Sequence, residues 1–263
     1  MTCDREQVNQ GVKMRIEGSV AFVTGANRGL GVGFVDALVA GGARKVYAAA
    51  RDLASLPAPW REDRRIVPVL LDITVPAQVN AATMLATDVT LLINNAGINR
   101  LQPALAQDDL AAARAEMEVN YFGTLQLTRG FAPILTQVAK QTSGTETGAA
   151  IINILSILAR VTLPSMTSLC AAKAAALRMT EGVRAELGPR GVQVMAVLPG
   201  AIDTDMSRDF PPPKLAVSEV VKAVFDALTN HVDEVYVGEM ARYVAAQLAH
   251  DRVAVQQQFA NFG

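Results

Sequence analysis

A glycine-rich turn between an apolar strand and a helix constrains this chain more than any other feature. VAFVT at 20–24 is a β-branched apolar run that passes into Thr24-Gly25-Ala26-Asn27-Arg28-Gly29-Leu30-Gly31, after which VGFVDALVAGGA has helical period. A helix that begins this abruptly presents unpaired N–H groups and the positive end of its dipole, and glycines there let the backbone approach an anion closely. Strand before and helix after predict a phosphate-holding nucleotide turn, although a purely structural tight turn has the same glycines.

The rest of the chain repeats the same alternation. Strand-like runs occur at 20–24, 45–50, 65–72, 89–94, 149–155, 192–198 and 234–238, with helical spacing at 29–41, 75–86, 108–140, 167–187 and 217–229. In the longest of these helices Leu110, Met117, Tyr121, Leu125 and Leu127 are expected to face a core. Strands alternating with helices imply βαβ units on a parallel sheet. Several strands are apolar without alternating, as in a sheet covered on both faces. The expected fold is a single-domain, doubly wound α/β sandwich with seven parallel strands over residues 18–263. A polar leader without periodicity precedes it at 1–17, with Met14 as the expected first ordered residue. SGTETG at 143–148 reads as a surface loop, and FPPPK at 210–214 as a proline-stiffened connection.

Composition narrows the function. The 263 residues are 51% hydrophobic and 19% charged, enough apolar material for a full core. Lys plus Arg number 24 against 25 Asp plus Glu, a net charge of -1 that gives no basic excess for nucleic acid. No segment has the length and hydropathy of a membrane span and the N-terminus lacks a signal-peptide core, so a cytoplasmic protein is expected. Cys3 and Cys170, with His231 and His250, are too few and too scattered for a disulfide framework or a metal site.

Further motifs follow the glycine turn in order: Asn94-Asn95-Ala96-Gly97 at the end of the fourth strand, Asn120 within NYFG, Ser156 closing NILS, Lys173 seventeen residues on, and Pro199-Gly200 with Thr204. The set resembles the short-chain dehydrogenase/reductase family over about residues 18–240, and implies a Rossmann-type fold. The resemblance implies a nicotinamide nucleotide held by Gly25, Asn27, Arg28, Gly29, Leu30 and Gly31. Asp72 and Ile73 would flank the adenine, and Asn94, Ala96 and Gly97 the ribose. Lys173, Pro199, Gly200, Ile202 and Thr204 would complete the site. Residues 203–216 would form a short substrate lid, and the helices at 108–140 and 167–187 a homodimer or homotetramer.

NAD-preferring folds of this kind place an acidic side chain at the end of the second strand to hold the ribose 2′-OH. Here Ala50 holds that place and Arg51 follows it, with Arg28 as a second cation inside the glycine turn. Guanidinium groups suit a 2′-phosphate, so NADP(H) is the expected cofactor.

Family members that reduce ketones or oxidise alcohols use Asn, Ser, Tyr and Lys, with the Tyr four residues before the Lys. A phenol beside an ammonium can give its proton to a carbonyl oxygen as hydride arrives. The corresponding residues here are Asn120, Ser156, Leu169 and Lys173, so a leucine stands where the acid belongs. The register is supported by Ser156, 13 residues before Leu169, and by Pro164, five before it. Enoyl reductases of the same superfamily place Tyr seven residues before Lys, a position filled here by Met166. Tyr47, Tyr121, Tyr236 and Tyr243 lie in unsuitable segments, and Cys170 reads as a small packing residue. Ser156 also fits a plain strand-end cap, and Asn120 a helix kink or a buried-water site.

Three readings remain open. The chain is an NADP(H)-linked oxidoreductase acting on a small or medium apolar C=O or, with no acid needed, C=N substrate. Alternatively it binds NADPH without redox turnover, or it is a carbonyl reductase disabled at Leu169.

Overall fold

The structure is a computed structural model that describes residues 14–107, 110–141 and 148–261. The strands β1 (Val20–Thr24), β2 (Lys45–Ala50), β3 (Ile66–Leu70), β4 (Leu91–Asn94), β5 (Ala149–Ile154), β6 (Val192–Pro199) and β7 (Glu234–Val237) form one sheet in the order β3-β2-β1-β4-β5-β6-β7. All six pairings are parallel. Strand order reverses between β1 and β4, and a crevice opens at that point outside the carboxyl ends of the strands.

Alternation along each strand feeds two apolar layers. Ala21 and Val23 of β1 face Phe34 and Leu38 of α1 (Gly29–Ala40) and Val220 and Val224 of α6 (Val217–Thr229). Val20 and Phe22 face the other way, toward α2 (Pro76–Leu85) and toward Leu127, Phe131 and Leu135 of α4 (Thr124–Gln141). Phe22 and Phe131 pack with ring centroids 4.8 Å apart. The long helix α5 (Thr167–Leu187) covers β5 and β6, with Leu155, Ala176, Leu177, Ala196 and Leu198 in one cluster. A buried polar chain crosses this layer: Asn94 Nδ2 donates to Asn153 Oδ1 at 2.8 Å, and Asn153 Nδ2 to Thr180 Oγ1 at 2.8 Å.

Three expectations are corrected. The continuous helix at 108–140 is instead α3 (Ala111–Met117), a π turn at Glu118–Gly123, and α4. A π turn adds a residue and breaks the 3.6-residue register, so of the five residues expected at the core only Leu127 is buried, and Leu110 is exposed. The loose leader does not extend to residue 17, because Met14 is buried in the α1 layer and Ile16 packs against it; residues 1–13 lie outside the described residues. After β7, where no helix was expected, the chain forms α7 (Glu239–Leu248) and α8 (Arg252–Ala260). The predicted loop at 143–148 falls almost entirely outside the described residues. Among those described, no helix is long and apolar enough to cross a membrane.

Candidate active site

The crevice is a cavity of about 650 Å³. Its first wall is the turn after β1. Thr24 Oγ1 accepts the Asn95 and Ala96 N–H groups, both at 3.0 Å, and Asn95 Nδ2 donates to the Thr24 and Gly25 carbonyls at 2.9 and 3.2 Å. These bonds lock the turn to the end of β4. Gly25 and Gly29 hold φ of +62° and +52°, a region that glycine enters without the cost a Cβ imposes. Gly25, Asn27, Arg28, Gly29 and Leu30 line the cavity.

Two residues expected at the nucleotide do not line it. A Cβ on Gly31 would lie 2.1 Å from the Gly25 carbonyl oxygen, so this glycine lets α1 press against the back of the turn. Asn94 is buried beneath the site in the Asn153 chain, and its neighbour Asn95 is the asparagine at the cavity wall. Successive strand residues face opposite sides, a parity that the Asn-Asn pair hides.

The nucleotide-side wall continues through Arg51, Asp72, Ile73, Ala96 and Gly97. Ala50 is buried, whereas Arg51 is exposed at the rim, beside a turn that Asp52 caps by accepting the Ala54 N–H at 2.9 Å. Asp72 Oδ1 accepts both the N–H and the hydroxyl of Thr74, at 2.9 and 2.7 Å, which fixes the bend after β3. The Arg28 guanidinium lies 3.7 Å from the Asp205 carboxylate, in the segment after β6.

Asn120 sits in the π turn. Gly123 allows that turn to approach closely, since a Cβ there would lie 2.6 Å from Ile73 Cγ1. Asn120 Nδ2 donates to the Ile98 carbonyl at 2.9 Å, and its Oδ1 accepts the Ile98 N–H at 3.2 Å. The side chain therefore pins the loop after β4. Ser156 Oγ accepts the Leu158 N–H at 3.2 Å and so caps a short 3₁₀ turn, while the residue also lines the cavity. Lys173 Nζ donates to the Ile154 carbonyl at 3.0 Å. Loss of water around the Lys173 ammonium lowers it from the ordinary lysine value to about 8. Leu169, 6% exposed, lines the cavity one turn before Lys173.

None of the four tyrosines lines the cavity. Tyr47 donates to Asp88 at 2.8 Å, Tyr236 donates to Glu234, Tyr121 packs edge-on against Phe122, and Tyr243 is exposed. Cys170 is buried, and burial raises its thiol.

Pro199, Gly200, Ile202 and Thr204 complete the floor. The segment 203–216 is tied at its base, where the Asp203 N–H donates to the Leu215 carbonyl and the Leu215 N–H to the Ala201 carbonyl, both at 2.8 Å. Met206 and Phe210 of the segment 203–216, Met166, Met240 of α7 and Phe259 of α8 also line the cavity. Met206 and Phe210 fall in the segment expected over the site; Met166, Met240 and Phe259 were not anticipated, and the apolar spacing at Ala241, Val244, Val255 and Phe259 was the available signal for the last two helices.

Residues 19–214 match the family model described as short chain dehydrogenase. A crystal structure of a short chain dehydrogenase from Burkholderia cenocepacia in complex with NADP is 57% identical, with a TM-score of 0.86, over 94% of this chain and 99% of that one. Galactitol 2-dehydrogenase (L-tagatose-forming) from Cereibacter sphaeroides is 34% identical over 73% of this chain and 75% of its own length. Short chain dehydrogenase tazN from Aspergillus terreus is 33% identical over 73% of this chain, which spans only 43% of that longer protein. With the glycine turn, the parallel sheet and the Asn120, Ser156 and Lys173 cluster in place, the chain belongs to the short-chain dehydrogenase family.

Proposed function

We propose that the chain is an NADP(H)-dependent oxidoreductase that delivers hydride to a small or medium apolar C=O or C=N compound, and that Leu169 favours C=N. One observation carries this reading: Asn120, Ser156 and Lys173 border the same cavity, yet the residue one turn before Lys173 is an apolar leucine.

The residues fit a phosphorylated dinucleotide. Gly25 and Gly29 leave the turn free of side chains, with a Cβ on Gly29 only 3.0 Å from Thr204 Cγ2. Arg28 and Arg51 border the cavity where a 2′-phosphate needs cations, and Ala50 offers no carboxylate to repel it. The complex of the Burkholderia protein with NADP supports the same choice. NADPH, when bound, supplies the hydride.

The chain's own groups do the rest. Lys173 spends one ammonium proton on Ile154 and has two left for ribose hydroxyls. Asn120 holds Ile98, and so the wall behind the reacting carbon. Ser156 Oγ accepts from Leu158 and keeps its own proton to donate to a substrate heteroatom. An iminium arrives already protonated and charged, so hydride addition at carbon gives the amine with no acid required. A ketone must gain a proton on oxygen, and without a positioned acid it loses about 10²–10⁴ in rate. Ser156, or a water ordered by Lys173 and Asn120, is the remaining proton source.

A second reading, NADPH binding without redox turnover, is favoured by the same leucine. NADPH oxidation measured against ketones, aldehydes and cyclic imines separates the two: turnover with imines supports the first, and tight binding with no turnover on any class supports the second. The reading also includes a cytoplasmic location and a homodimer or homotetramer packed through α4 and α5, where Ala171, Ala174 and Ala175 of α5 permit close approach; Ala172 and Ala176 of the same small-residue run are buried within the chain.

A further inference from the structure

The half of the cavity beyond Lys173 differs in chemistry from the nucleotide half. The charged residues other than Lys173 that line the cavity are Arg28, Arg51, Asp52, Asp72 and Asp205, which belong to the glycine turn, the turns after β2 and β3, and the segment after β6, whose Asp205 is paired with Arg28. The apolar lining includes Leu163, Met166, Leu169, Met206, Met240 and Phe259, and the Asn99 amide that also lines the cavity is engaged, its Nδ2 donating to Met166 Sδ at 3.2 Å and its Oδ1 accepting the Leu101 N–H at 2.9 Å. Three thioethers there come from three separate segments.

Two of these residues lie beyond residue 214, where the family match ends. Met240 Cε would lie 3.0 Å from a Cβ on Gly200, so α7 presses onto the cavity floor. Phe259 is buried among Ile157, Val161, Val244 and Val255. The helix that carries it is clasped to the segment after β5: the Thr162 N–H donates to Gln256 Oε1 at 3.2 Å, and Gln256 Nε2 to the Thr162 carbonyl at 3.0 Å. That segment begins at Ser156. α8 is therefore fixed to the segment that carries Ser156, and its Phe259 forms part of the cavity wall.

We propose that α8, through Phe259 with Met240, is a substrate-selecting wall that admits the apolar ring of a cyclic carbonyl or iminium compound and rejects polyols. This deepens the oxidoreductase reading and rests on it for the identity of the substrate end. Thioethers adapt to ring faces and edges, whereas hydroxyls placed against sulfur and aromatic carbon lose their hydrogen bonds to water without replacement. The selection is thus opposite to what a galactitol dehydrogenase such as the Cereibacter relative needs.

The test is calorimetric binding of two non-reducible ring amides, caprolactam and the bulkier 3,4-dihydro-2-quinolinone, and of xylitol, to the full chain with NADP⁺. The parent is expected to bind both amides and to bind xylitol at least tenfold more weakly. Phe259→Ala is expected to weaken caprolactam about 5- to 20-fold, from the lost aromatic burial, and to improve the ratio of bulky to small amide. Phe259→Trp is expected to exclude the bulky amide, so that the two variants move the ratio in opposite directions. NADP⁺ affinity stays within twofold in both. Amide affinities that are equal within twofold in all three proteins, NADP⁺ affinity that falls in step with them, or xylitol bound as tightly as caprolactam overturns the proposal. The expected binding pattern without turnover on any carbonyl or imine supports this wall and overturns the redox reading instead.

Discussion

Lys173 Nζ reaches across from α5 to donate to the carbonyl of Ile154, the last residue of β5, at 3.0 Å. The bond draws the ammonium into the cavity, where lost hydration lowers it to about 8. Below that pH Lys173 is charged, and above it the charge is lost. Because kcat/KM reports the free enzyme, it is expected to fall as pH rises through about 8. Lys173→Arg keeps its charge and should abolish this limb even if its rate is lower. Stability moves the other way: between about 8 and the unfolded lysine value near 10.4 the unfolded chain binds more protons, so stability to unfolding rises with pH in that window. Urea midpoints at pH 8 and pH 10 check the sign.

Arg51 stands at the cavity rim, whereas Arg28 is paired with Asp205. A charge-assisted bond to phosphate contributes about 1.5–3 kcal/mol, so Arg51→Ala should weaken NADPH binding about 10- to 100-fold. NADH affinity should stay within twofold. Fluorescence titration of both nucleotides measures the ratio, and an equal loss for both would assign Arg51 to a general electrostatic role.

Gly31 has no room for a side chain, since its Cβ would meet the Gly25 carbonyl. Gly31→Ala is expected to destabilise the fold by about 1–3 kcal/mol or more, as overpacked sites do, and to disturb the nucleotide turn with it. Thermal melting with and without NADPH should show a lower Tm and a smaller nucleotide-induced rise.

Asn94 is predicted to act on stability alone. Its side chain donates to Asn153 and to Thr128, at 2.8 and 3.2 Å, below the cavity floor. Asn94→Ala leaves buried acceptors without their donor, at a cost of about 1–3 kcal/mol, while the NADPH dissociation constant stays within a factor of two. Asn95→Ala, which frees the Thr24 and Gly25 carbonyls, should show the reverse balance.

The sheet was legible because its strands are apolar on both faces and the glycine turn marks the switch point. All seven runs became strands, with bounds shifted by no more than two residues at either end. Asn94 and Asn95 could not be told apart, since their roles depend on strand parity at the end of β4. Gly31 and Gly29 look alike in a glycine-rich string, but one faces the cavity and the other the back of the turn. The π turn at Asn120 packs Gly123 against Ile73, a contact between residues 50 apart that no local period reveals. Phe259 and Met240 were missed because α7 and α8 are short and their apolar spacing is sparse. Leu169, which the sequence suggested stands where the family carries its tyrosine, lines the cavity one turn before Lys173.

In the proposed function, Leu169 leaves a scaffold competent for hydride delivery without a positioned acid. The most direct test is NADPH oxidation by the parent and by Leu169→Tyr, each with a cyclic ketone and a cyclic imine of matched ring size. Imine reduction by the parent is expected at a rate well above its ketone rate, with a gain in ketone turnover of about 10²–10⁴ in the variant. A parent that reduces no imine, together with a variant that gains no ketone activity, would contradict the proposed function.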